Sequence, residues 1–299
     1  MKYALGVDVG GTKVATVIID RELNVVHRVE VESITDNREV MFNQVTDSID
    51  RALKQANISL NEIAGIGVGV PGKVDKTNGI AIYQNNLPWK DFPIVSRLRE
   101  YYSFENIRID NDVHVATLAE WKISELDKEA TFVYFTVSTG VSCATIHRGE
   151  FIRGSGFAGE IGLFPVESAF FEGERVRLEC AASGPTIEKI AKEKYNDPSI
   201  VPKQVFQKYR EGCETATSIV QSVTKSLANG AYAIICLLDP QRIVFGGGVI
   251  NNNTYLIDLI RDHLAELVIK EQKEALKRLS VSHFKEDSGA IGAGILGFI

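Results

Sequence analysis

The chain has 299 residues, 44% of them hydrophobic and 24% charged, and a formal net charge of -6. That length is ample for a packed core and suggests two domains. The acidic balance disfavours nucleic acid or an anionic membrane as the main partner. No run reaches the ~18–20 consecutive apolar residues of a membrane span, and residues 1–13 lack the long apolar run and cleavage site of a signal peptide. These features predict a cytoplasmic protein. Its four cysteines, Cys143, Cys180, Cys213 and Cys236, show no CxC or CxxC spacing. With five scattered histidines they form no zinc template and read as free thiols.

In chain order, residues 3–8, 14–19 and 25–31 are β-branched, apolar runs that predict three antiparallel strands. Asp36 and Glu39 are spaced as a capping box for a helix that continues through Val45, Ile49, Leu53 and Ala56. Residues 63–70 and 107–109 read as strands, and 112–123 as a helix. The second half opens in the same way, with strands over 131–137 and 142–147 and at Phe151. Helices follow over 186–195, 203–210 and 215–238, then a strand over 242–245 and helices over 256–273 and 288–299. Each half starts with a hairpin carrying a small-residue tip and continues with alternating helices and strands. The pattern predicts an α/β fold of two domains with mixed sheets flanked by helices and a central cleft. Residues 1–120 form a small first domain, joined by the C-terminal helix 288–299. Residues 121–287 form a larger second one.

Five segments can carry chemistry. Asp8 ends a strand before Gly10, Gly11, Thr12 and Lys13, where bare turn amides suit phosphate oxygens and Asp8 suits Mg2+. Gly-Gly between strands is common, and the alternative there is a structural hairpin turn with an acidic flank. Thr139 and Gly140 form a second such tip. Gly246, Gly247 and Gly248 offer a flat backbone surface for a planar ring, or close strand–helix packing. Asn111 and Asp112 stand where a strand meets a helix. Asp112 there is placed as a general base, while Asp110 or Asn111 suits helix capping. Glu160, between glycines, and Glu179, ahead of a small-residue run, suit hydrogen bonds to sugar hydroxyls, or are plain surface acids.

Taken in order, these segments resemble the ROK family of sugar kinases across essentially the whole chain. Residues 8–13 and 137–142 resemble its two phosphate loops. Asn111–Asp112 resembles its catalytic pair, 156–162 its Ala-Gly-Glu-x-Gly segment, and 239–250 its adenosine side. The resemblance implies an actin-like ATPase (ribonuclease H-like) fold, with ATP and Mg2+ as phosphoryl donor and a sugar 6-OH as acceptor. Asp112 would then be the base, and Asn86, Asn111, Glu160 and Glu179 would bind the sugar. Asp8, Gly10, Gly11, Thr12, Lys13, Thr139 and Gly140 would hold the phosphates, and Gly247 and Gly248 would lie near the adenosine. A homodimer is common among relatives. A repressor would carry a DNA-binding domain before the first loop, and Asp8 stands only seven residues from the start.

Two departures bear on the substrate. The family's zinc and sugar His is here Leu163, and its three zinc cysteines are missing from 168–177, so no structural zinc is expected. Apolar and aromatic residues such as Phe164, Phe170 and Phe171 are expected to hold that loop instead. The resemblance covers N-acetylmannosamine kinases and also zinc-less β-glucoside kinases, which act on disaccharides such as cellobiose. Ser142 and Cys143 replace glycines of the second loop, which leaves a slow sugar-sensing protein as a further reading.

Overall fold

The computed structural model describes residues 1–84, 86–171 and 174–299. They form two compact units, Met1–Glu125 with Glu286–Ile299, and Leu126–Lys285. None of the described helices is long and apolar enough to cross a membrane.

The first unit begins with β1 (Tyr3–Val9), β2 (Lys13–Ile19) and β3 (Val25–Glu32), an antiparallel meander of β-branched residues. Helix α1 (Arg38–Ala56) follows. Its N-cap is Asn37, whose side chain accepts from Glu39 N at 2.7 Å, so the expected Asp36 box is replaced by a cap one residue on. Next come β4 (Ile63–Val70), β5 (Lys73–Asp75), β6 (Ile80–Tyr83) and β7 (Lys90–Phe92), then α2 (Ile94–Tyr102), β8 (Ile107–Asn111) and α3 (Asp112–Ile123). The main sheet has the order β3-β2-β1-β4-β8, with β1, β4 and β8 parallel. Strands β5, β6 and β7 make a separate antiparallel sheet. A closing helix, Ser288–Phe298, is almost wholly buried against β1, β4 and α3. It can lie so close because glycines meet backbone there. A Cβ on Gly6 would stand 1.9 Å from Ala290 O, and one on Gly67 1.8 Å from Ala293 O.

The second unit contains β9 (Thr131–Val137), β10 (Val141–His147), β11 (Glu150–Phe151), β12 (Pro165–Glu167), β13 (Arg175–Arg177), α4 (Leu178–Ala182), α5 (Gly184–Tyr195), α6 (Pro202–Arg210) and α7 (Glu214–Leu238). It ends with β14 (Arg242–Gly246), α8 (Gly248–Asn251), α9 (Leu256–Leu267) and β15 (Leu279–Val281). Its five-stranded sheet runs β11-β10-β9-β14-β15, a meander followed by two parallel strands, which is the topology of the first sheet. Phe135 and Phe245, on neighbouring strands, stack at 5.1 Å within the core. The helix expected over 256–273 stops at Leu267, where Val268 turns extended, and a 3-10 segment, Lys270–Arg278, leads to β15.

Candidate functional site

In the first unit the parallel strands β1, β4 and β8 end at one edge of the sheet, the edge where open α/β sheets present their polar groups. Asp8 pairs with Gly69, and Gly69 with Asp110. A Cβ on Gly69 would lie 3.7 Å from Asp8 Oδ1 and 3.8 Å from Asp112 Cα, so the bare glycine separates the two acids. Burial and the charge of Asp112 push the Asp8 carboxyl up to about 7, while Lys13 pulls it down. Gly289, at the start of the closing helix, lies against the same carboxyl: its Cβ would be 2.4 Å from Asp8 Oδ2.

Asn111 is the N-cap of α3. Its Oδ1 accepts from Val113 N at 2.9 Å and His114 N at 3.2 Å, and its Nδ2 donates to Gly72 O at 3.0 Å. Asp112 is therefore the first residue of a capped helix, and its Oδ1 accepts from Val113 N at 2.9 Å. Asp110 turns inward and accepts from Asn111 N. Asn111 therefore caps the helix, and the Asp112 side chain is left out of the cap made by Asn111.

The first tip is tied down by Gly10 N to Lys13 O at 2.9 Å and by Ser33 Oγ to Gly10 O at 2.7 Å. Asn86 packs on it, since a Cβ on Gly11 would lie 3.0 Å from Asn86 Nδ2. Thr12 is exposed, and Lys13 pairs with Glu30 at 2.8 Å. Asp8, Gly10, Gly11, Thr12, Lys13, Asn86, Asn111 and Asp112 all belong to this unit. Carboxylate and hydroxyl oxygens suit Mg2+, which is bound by one or two carboxylates together with phosphates and water. The raised Asp8 carboxyl beside Asp112 fits that demand, because a cation there relieves the repulsion.

In the second unit the β9–β10 tip closes through Ser138 N to Gly140 O at 2.8 Å. Glu179, at the start of α4, meets this tip: its Oε2 accepts from Val141 N at 3.0 Å. Gly159 has φ +97, and a Cβ there would stand 1.9 Å from Cys143 O. That contact lays the Gly159–Glu160 stretch flat on β10. Glu160 then precedes the 3-10 turn Ile161–Leu163. Partial burial and the charge of Glu179 hold its carboxyl above the usual range. Gly247 presses on Val137 O, where a Cβ would be 2.4 Å away, whereas Gly248 meets only Ser138 Oγ at 3.9 Å. The glycine run after β14 is therefore partly explained by packing, and it lies beside the β9–β10 tip. Thr139, Gly140, Glu160, Glu179, Gly247 and Gly248 are gathered in this unit.

The stretch without zinc cysteines forms the β12–β13 hairpin, where Val166 is buried; residues 172 and 173 lie outside the described residues. Of the aromatic residues expected to hold it, Phe170 packs on the core, but Phe164 is exposed. For Phe164 the expectation is corrected, while Val166 and Val176 pack there alongside Phe170. Among the described residues no group of three His, Cys, Asp or Glu side chains is placed to hold a metal. Sequence reasoning passed over His114, although its position three residues after the cap was a usable signal, and over Gly69, which has meaning only once β1 and β4 are paired.

The chain matches the ROK family over residues 4–297. A glucokinase of Halalkalibacterium halodurans is 26% identical, with 99% of this chain and 94% of that protein aligned. An N-acetylmannosamine kinase of Haemophilus influenzae is 29% identical over 97% of this chain and 93% of its own. The crystal structure of a ROK hexokinase from Thermus thermophilus superposes with a TM-score of 0.78 at 25% identity, covering 98% and 97% of the two chains. The fold is thus the actin-like ATPase fold of these hexokinases, with its paired mixed sheets.

Proposed function

The chain belongs to the ROK family, and from that premise we propose that it transfers the γ-phosphoryl group of ATP to a sugar hydroxyl. The acceptor is the 6-OH of a hexose or N-acetylhexosamine such as glucose or N-acetylmannosamine, the sugars of the relatives above. The observation that carries the reading is the strand end of β8, where Asn111 caps α3 and Asp112 opens it beside Asp8.

On this reading Asp112 orients the acceptor hydroxyl and takes its proton as the oxygen attacks phosphorus, a contribution of about 10²–10⁴-fold. Asn86, Asn111, Glu160 and Glu179 hold the sugar hydroxyls. Turn amides at Gly10, Gly11, Thr139 and Gly140, with Thr12 and Lys13, bind the phosphates, and Gly247 and Gly248 lie near the adenosine. Phosphoryl transfer demands little covalent work from a protein, so positioning and charge carry most of it. Asp8 would hold the Mg2+ that accompanies ATP, directly or through water, and the ion would supply neutralisation of phosphate charge. We place the protein in the cytoplasm as a homodimer, which sedimentation would check.

A coupled assay of ADP release tests the reading over glucose, mannose, N-acetylmannosamine, N-acetylglucosamine and cellobiose. Sugar-dependent ADP release with glucose or N-acetylmannosamine is expected. Tight sugar binding with no turnover on any of them would overturn it.

A further inference from the structure

We infer that His114 is a positioning residue for this reaction, acting through Asn111 on the seat of Asp112. The inference rests on the kinase reading above and adds a residue to it.

Asn111 Oδ1 accepts from the backbone N–H groups of Val113 and His114, so the amide oxygen, not its nitrogen, faces the helix. His114 Nδ1 lies 3.1 Å from that same oxygen. An oxygen without a hydrogen can only accept, so Nδ1 carries the proton and the ring donates. Residues three apart share a helix face, which lets a ring at the third helical position reach back over the cap. Three donors therefore converge on Oδ1, and on the other side Nδ2 donates to Gly72 O at 3.0 Å. The amide of Asn111 is clamped from both ends and cannot flip.

The clamp has a functional reach. Asp112 follows Asn111 directly, and its backbone direction is set by the cap. The second N–H of Asn111 Nδ2 also keeps a fixed direction. A neutral hydrogen bond is worth about 0.5–1.5 kcal/mol, which corresponds to roughly two- to twelvefold in rate if it is spent on alignment. Backbone donors would still cap the helix without the ring, so the protein should fold in its absence.

The chemistry of the ring supplies its own control. In asparagine the amide nitrogen stands the same number of bonds from Cβ as Nδ1 does in histidine, so His114→Asn retains a donor there. His114→Phe keeps a ring of similar shape and removes the donor. Turnover with Mg2+–ATP is measured on glucose and on N-acetylmannosamine for both variants, alongside thermal unfolding. His114→Phe is expected to lower kcat by roughly two- to twelvefold with KM for ATP unchanged, while His114→Asn stays near wild type. In an Asn111→Ala background His114→Phe should cost nothing further. Equal loss in both His114 variants, wild-type kcat in His114→Phe, or a full second loss in the Asn111→Ala background would each overturn the inference. If Asn111→Ala has no measurable activity, the Phe and Asn pair decides alone. Failure of the kinase reading itself looks different: the wild-type protein would then release no ADP on any sugar of the panel, whereas the inference about His114 fails in a protein whose wild type turns over.

Discussion

Glu179 Oε2 accepts the amide proton of Val141 at 3.0 Å, so an acid assigned to the sugar also braces the hairpin tip at Gly140. The glycine is what admits it, because a Cβ on Gly140 would stand 2.3 Å from that oxygen. Glu179→Ala leaves a partly buried N–H without its acceptor, which costs about 1–3 kcal/mol. Urea unfolding should show that loss, with KM raised for sugar and for ATP together. Glu179→Gln retains an acceptor oxygen and should lose less of both. A Glu179→Ala protein as stable as wild type would refute the bracing role.

Asp112→Asn tests the base. The cap made by Asn111 survives, so circular dichroism and the unfolding midpoint should stay near wild type. Turnover should fall by about 10²–10⁴-fold, the usual worth of a positioned base. Near-normal kcat would remove Asp112 from the mechanism.

Gly67→Ala probes the packing of the closing helix. A Cβ there would lie 1.8 Å from Ala293 O, in backbone that has no flexible end to move aside. The clash should cost about 3 kcal/mol or more, at the upper end for overpacked cores. Denaturant unfolding would measure it, and a stability within experimental error of wild type would show that the helix can slide.

Glu160 should leave a mark on the pH dependence of stability. Its carboxyl is raised above the ordinary 4.5 by partial burial and by Glu179. The folded state therefore holds a proton that the unfolded state releases first. The contribution of Glu160 to stability is full below 4.5 and is lost as pH rises through the higher folded value. Glu160→Gln removes that loss. The variant should gain stability relative to wild type on the neutral side while its sugar KM rises. Parallel stability–pH curves for the two proteins would contradict the assignment.

Long, strongly patterned elements were legible from sequence: the β-branched meanders, the helix over α7 and the segments at Asn111 and Asp112. Short ones were not. Strands β5, β6, β7 and β15 have three or four residues each, too few for periodicity to distinguish them from loop. The end of α9 was misplaced because Lys270–Arg278 keeps helical composition while changing to a tighter turn. The cap of α1 moved from Asp36 to Asn37, since either side chain can serve and only backbone angles decide. At the site, residue identity was readable but partnership was not. Glu179 and Val141 are far apart in the chain, as are Gly67 and Ala293, so nothing local announces either contact.

The closing helix also imposes an order on synthesis. The sheet of β1, β4 and β8 leaves the ribosome early, yet the helix that covers its glycine-lined face is made only after all of Leu126–Lys285. At about 5–20 residues per second the nascent first unit waits on the order of ten to thirty seconds with that face bare. The second unit has no such wait, since every strand of its sheet is already present before Ser288 is made.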